Sequence, residues 1–151
     1  VSSLGMADAR LAGLRVLVTR PADQAAPWLD ALRAAGATPL AYPTIDVRPP
    51  ASWQPFDRAV DALATYDWLV FTSANAARFC APRLPSPLPA RLRVAAVGSE
   101  TARALEQAGL RVDVTPADAR QEGLVECLAG QPPGSRVLFP RAVGGRDHLV
   151  D

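Results

Sequence analysis

The chain has 151 residues, 49% of them hydrophobic and 21% charged, with a net charge of +1, the balance of a soluble globular protein of one domain or two small ones. No apolar run approaches the roughly 20 residues that a bilayer span needs, and the N-terminus has no continuous apolar stretch of the kind that marks a secretory signal, so the expected location is the cytoplasm. The charges are scattered, which excludes the concentrated basic surface that nucleic acid requires.

Residues 14–19 (LRVLVT) predict a first strand. Trp28, Leu29, Leu32 and Ala35 then recur at helical spacing, with Pro27 expected in the first turn of that helix and Gly36 as its C-terminal cap. Residues 37–42 predict a second strand. Four prolines between positions 43 and 55 make that segment a linker, with one short extended piece at 45–47. A short helix follows, carrying Phe56, Ala59, Val60 and Leu63 on one face. Residues 67–72 predict a third strand, apolar at successive positions from 68 to 71, which fits a strand covered on both faces, as in parallel sheets. A helix of about two turns begins near Ser73 and ends before Pro82, and residues 82–92 form a second proline-rich loop. Residues 93–98 predict a fourth strand. Residues 99–108 predict a helix with Ala102 and Leu105 inward, capped by Gly109 with an apolar contact from Leu110. Residues 111–116 read as a fifth, more exposed strand. Residues 121–129 read as a helix with Leu124, Val125 and Leu128 inward, residues 136–140 as a sixth strand, and residues 141–151 as the opening of another helix. The alternation implies an α/β fold of parallel sheet with right-handed crossovers and helices on both faces. The break at 43–55 divides it into two sub-structures.

Open parallel sheets gather ligands at the carboxyl ends of their strands. Thr19 and Arg20 follow the first strand; Thr72, Ser73, Ala74 and Asn75 follow the third. Gly98, Ser99, Glu100 and Thr101 follow the fourth, and Arg141, Gly144, Gly145 and Arg146 the sixth. A helix start there offers free N–H groups and a partial positive charge, worth roughly 0.3–1 kcal/mol to an anion, and small residues let a ligand approach the backbone. The same residue types are also ordinary N-caps, the stronger reading at any one position. Four such positions at topologically equivalent places favour a ligand bearing negative groups. G-x-G-x-x-G, the P-loop and G-x-S-x-G are all absent. Cys80 and Cys127 lack CxxC spacing, and His148 is the only histidine, so no metal is expected. Both cysteines read as reduced, buried apolar residues, and Trp28, Trp53 and Trp68 as core.

The segments RVLVTRP, YPTIDVRP, YDWLVFTSANAARF, VAAVGSETARALEQAGLRVDVTP, QEGLVECL and RVLFPRAVGGRDHL follow one another over residues 14–149. Their order and spacing resemble the uroporphyrinogen-III synthase (HemD-like) family. The resemblance implies a cyclising lyase of tetrapyrrole biosynthesis. Such an enzyme converts linear hydroxymethylbilane to uroporphyrinogen III, inverting the last pyrrole ring and losing water, with no cofactor or metal. It implies two α/β domains joined by two extended strands, with the active site in the cleft between them. Residues 1–46 would then be the N-terminal part of a discontinuous, incomplete first domain, 47–139 a complete second domain, and 140–151 the start of the return. Carried over residue by residue, Thr19, Arg20, Ser73, Ala74, Asn75, Gly98, Thr101, Gly123 and Arg141 become the expected substrate contacts. Family members are longer, and the tyrosine that assists departure of the hydroxide has no equivalent here, since neither Tyr42 nor Tyr66 matches its position. The resemblance therefore assigns no catalytic residue and implies a fragment without synthase activity of its own. It also implies that residues 14–42 expose apolar surface and are mobile or pair with a second copy, whereas the full-length enzyme is expected to be a monomer. The substrate carries eight carboxylates and reacts through an azafulvene-like cation that cyclises spontaneously to the wrong isomer. Holding it in one conformation is then the main catalytic task, which suits a chain poor in acids, bases and nucleophiles. The alternative is a non-catalytic ligand-binding or regulatory domain of flavodoxin-like or periplasmic-binding type.

Overall fold

Trp68, Leu69, Val70 and Phe71 leave no room for a wet face. In the computed structural model, which describes residues 10–142, they form the central strand of the larger of two parallel sheets and are all buried. The chain divides into two compact units between Arg48 and Pro49.

In the first unit β1 (Arg15–Val18) and β2 (Thr38–Ala41) pair in parallel, with Leu17 opposite Leu40. They are joined by α1 (Ala22–Ala34), which starts after the extended Pro21. Pro27 therefore lies inside the helix rather than in its first turn. It is solvent-exposed, so the Asp23 carbonyl that loses its intrahelical donor is left for water. Gly36 stops the helix at φ 87°. Its N–H donates to the Arg33 carbonyl and that of Ala37 to the Leu32 carbonyl, the paired bonds of a left-handed glycine cap. One helix on two strands covers one face only. Val18, Ala25 and Ala37 are buried, while Leu14, Leu17, Leu40 and Tyr42 are exposed, as expected for residues 14–42. Trp28 is 54% exposed and is not core. Residues 45–47 pair with no strand among the described residues, and Ile45 is exposed.

In the second unit β3 (Trp68–Phe71) lies between β4 (Arg93–Ala96) and β5 (Val137–Leu138), all parallel, in the order β4-β3-β5. Side chains alternate across this sheet. Leu69, Phe71, Val94 and Ala96 pack with Ala77 and Cys80 of α3 (Ala74–Cys80) and with Ala104 and Leu105 of α4 (Ser99–Gln107). Trp68, Val70 and Ala95 pack on the other face with Leu124 of α5 (Gln121–Leu128). Helices thus cover both faces, as an all-apolar central strand requires. A fourth helix, α2 (Gln54–Asp61), and the turn that follows it add Phe56 and Leu63 to the first cluster. Gly109 ends α4 at φ 82° with the same paired bonds as Gly36.

The fifth expected strand is reduced to one bridge, between Val114 and Ala95. The reason lies in Asp113, whose carboxylate accepts the Val94 N–H at 2.9 Å, so a side chain takes the place of a strand neighbour. Asp113→Ala leaves that buried donor unsatisfied and is expected to cost about 1.5–3 kcal/mol, read as a lower urea midpoint. Asp30→Ala removes only an exposed pair with Arg33 and is expected to change the midpoint little. Two further expectations fail on α5. Val125 and Cys127 are both exposed, because the short helix meets the sheet mainly through Leu124. Several arginines are spent on packing: Arg83 lies over Trp53, Arg93 over Trp68 and Arg136 over Tyr66, at 4.6, 4.2 and 4.9 Å from the ring centroids.

Candidate functional site at the carboxyl edge of the parallel sheet

Parallel strands put all their carboxyl ends on one side. In the second unit the loops after β3, β4 and β5, which carry Ser73–Asn75, Gly98 and Arg141, therefore share one edge. The chain steps outward from β3 to β4 to the Val114 bridge, then returns to place β5 on the other side of β3. The direction of winding reverses between β3 and β5, and such a reversal is where open α/β sheets form a crevice. The Ser73 loop and Arg141 flank it.

Each expected contact has a definite local role. The Ser73 hydroxyl accepts the Asn75 N–H at 3.2 Å and caps α3; its own proton remains a donor. Asn75 Oδ1 accepts from Arg78 Nη1. Ala74 opens α3 and is half-buried. Thr101 is 4% exposed, on the face of α4 that carries Ala104 and Leu105, so packing claims most of its surface. Arg141 is exposed. Thr19 and Arg20 follow β1 in the first unit. The Thr19 carbonyl accepts both the N–H and the hydroxyl of Thr44. Arg20 donates to Gln24 Oε1 at 3.3 Å and lies 5.4 Å from the centroid of the Trp28 ring. Gly144, Gly145, Arg146, His148 and the helix expected over 141–151 lie outside the described residues, apart from Arg141 and Ala142.

The helix starts differ. α3 is capped by a side chain, whereas α4 and α5 begin at Gly98 and Arg120 with no side-chain cap, leaving first-turn N–H groups that a ligand or water must satisfy. The glycines at these two starts press on the stretch 116–119. A Cβ on Gly98 would sit 3.0 Å from Ala119 Cβ, and one on Gly123 would sit 2.5 Å from the Asp118 carbonyl oxygen. From the sequence, Gly98 is expected as a strand-end position where a ligand approaches, and Gly123 as a contact that the resemblance implies. The signal that points further is Gly123 inside a helix, where glycine is unfavourable and asks for a packing reason. No group of three or more His, Cys, Asp and Glu side chains that could hold a metal occurs among the described residues. Among the same residues no helix is long and apolar enough to cross a membrane.

A family model described as uroporphyrinogen-III synthase HemD matches residues 26–151. The uroporphyrinogen-III synthase of Synechococcus elongatus is 40% identical over 152 residues, covering 96% of this chain and 57% of that protein. That of Chlorobaculum parvum is 38% identical over 133 residues, covering 83% and 52%. The chain thus spans little more than half the length of these relatives. Among solved structures, a mutant uroporphyrinogen III synthase from Thermus thermophilus superposes with a TM-score of 0.64 at 22% identity, covering 91% of this chain and 56% of that one. That likeness is one of fold, and it is the same parallel α/β arrangement. With the family pattern present over most of its length, the chain belongs to the uroporphyrinogen-III synthase family.

Proposed function

We propose that this chain is part of a lyase that cyclises linear hydroxymethylbilane to uroporphyrinogen III, with inversion of ring D and loss of water, in the cytoplasm. The observation that carries this reading is the family match over residues 26–151. The match does not favour the alternative of a non-catalytic flavodoxin-like or periplasmic-binding-like domain. The reading assigns residues 1–46 to a discontinuous first domain, 47–139 to the second and 140–151 to the return, with the full-length enzyme a monomer. It assigns substrate contact to Thr19, Arg20, Ser73, Ala74, Asn75, Gly98, Thr101, Gly123 and Arg141, and uses no cofactor.

The chemistry of the edge supports it. An octacarboxylate is recognised by many weak positive elements spread over its length: uncapped helix starts at α4 and α5, the Ser73 hydroxyl and the Arg141 guanidinium. Each helix start contributes only about 0.3–1 kcal/mol, so binding has to be a sum over several loops. Conformational control of a reactive cation needs such a distributed grip more than it needs one strong acid or base.

The test is a titration with uroporphyrin, the stable oxidised relative of the product, following tryptophan fluorescence. Saturable quenching that weakens with added salt is expected, because the attraction is between charges. A cationic porphyrin without carboxylates is expected to give none. Equal response to both porphyrins, or no saturation with uroporphyrin, would overturn the reading.

A further inference from the structure

The stretch 116–119 separates the starts of α4 and α5, and a glycine meets it on each side. Gly98, the N-cap of α4, faces Ala119; a Cβ on Gly98 would lie 3.0 Å from Ala119 Cβ and 3.9 Å from Ala119 Cα. Gly123, in the first turn of α5, faces Asp118 and Pro116; a Cβ on Gly123 would lie 2.5 Å from the Asp118 carbonyl oxygen and 3.2 Å from Pro116 Cβ. Backbone conformation does not explain the first glycine. Its φ is −170°, extended geometry that any residue adopts. What Gly98 supplies is the absence of a Cβ where Ala119 needs the space.

We propose that Ala119, seated against Gly98, is a positioning residue that fixes how far the start of α5 stands from the start of α4. The two uncapped helix starts then present their N–H groups to a carboxylate-bearing tetrapyrrole at one set spacing. The inference rests on the functional reading above for its ligand, but its geometry stands alone. Ala119 does not have to touch the ligand. Ala119 has no polar side-chain atom, and Gly98 contributes here through the side chain it lacks. A Cβ contact at 3.0 Å is tighter than a relaxed one, so the neighbour must give by a few tenths of an ångström. Residues 116–119 are a connection rather than a packed strand, so they are the part that gives.

The arrangement makes a compensation test available. Gly98→Ala introduces the tight contact, and Ala119→Gly removes the atom that the new methyl group would meet at 3.0 Å. The three forms, Gly98→Ala, Ala119→Gly and the double substitution, are compared by amide hydrogen exchange and by uroporphyrin titration of the whole chain. Gly98→Ala is expected to speed exchange of the first α5 amides that enter intrahelical bonds, from Leu124 onward, by about tenfold, as a local loosening. Exchange at Leu69 and Val70 in the central strand is expected to stay unchanged, and uroporphyrin affinity to fall by about tenfold, the loss of one or two helix-start contacts. The double substitution is expected to restore both. If Gly98→Ala does not fold, recovery of folding by the second change supports the inference equally, and failure to recover overturns it. Unchanged exchange from Leu124 onward overturns the inference, as does a double variant no better than the single one, or loosened exchange with undiminished affinity. If the unaltered chain binds no uroporphyrin, the functional reading fails, and the exchange measurements alone decide whether Ala119 positions α5.

Discussion

Phe71→Ala is expected to destabilise the second unit by about 3–5 kcal/mol, a large part of the roughly 5–15 kcal/mol that holds a domain of this size together. Phe71 is wholly buried at the carboxyl end of β3, between the sheet and the pair α3 and α4. Several of its cluster neighbours are alanines: Ala77, Ala81, Ala96 and Ala104. Alanines bring the helices close to the sheet, and they cannot swing or extend into a vacated volume. The cavity left by the ring would therefore stay open, which puts the cost at the upper part of the range. On the usual scale of about 4–8 °C per kcal/mol for a unit of about 100 residues, the thermal midpoint drops by about 12 °C or more. Leu17→Ala serves as the contrast. Leu17 is 56% exposed in β1, so truncating it is expected to change the midpoint by at most a few degrees. Equal losses from the two substitutions would mean that the larger sheet is not the stabilising core.

That core is legible in the sequence because its signal is local. A four-residue apolar run with no alternation admits few arrangements, and glycine after a helix pattern at positions 36 and 109 predicts the left-handed caps that are found. The expectations that fail share a different cause, since each depends on what stands opposite. Trp28 and Val125 carry apolar side chains at helical spacing, but only tertiary structure decides whether a sheet reaches them, and it does not. Residues 111–116 have strand composition, yet the Asp113 carboxylate takes the Val94 N–H that a neighbouring strand would have used. The preference of proline for a first turn points to Pro27, while the true start at Ala22 follows from Pro21, whose extended backbone precedes the helix. The candidate site shows the same division. That loops after parallel strands share an edge is topology and follows from the alternation of elements. That Gly98 and Gly123 are glycines because of residues 116–119 is a matter of contacts, which no spacing in the sequence displays.

The two cysteines separate most sharply in their chemistry. Cys80 is buried in the first cluster, and burial pushes its thiol up from an ordinary value of 9.0 to about 11, with the Arg83 guanidinium pulling part of the way back. Cys127 is exposed on α5. Only the thiolate attacks a disulfide reagent. At pH 8 a thiol with a value near 11 is ionised about one part in a thousand, against about one part in eleven at the ordinary value of 9.0. Ionisation alone thus slows Cys80 by about a hundredfold, and its packing adds to that. Ellman's reagent is expected to titrate one thiol rapidly in the folded protein and the second only on unfolding, with Cys127→Ser abolishing the fast phase. Because the folded value is the raised one, the stability that Cys80 contributes is complete below about pH 9 and is lost as pH climbs through about 11. The urea midpoint should fall across that window by more in the unaltered chain than in Cys80→Ala. Two fast thiols in the folded protein, or an alkaline loss unaffected by Cys80→Ala, would place Cys80 at the surface and contradict the packing of α3 against the sheet.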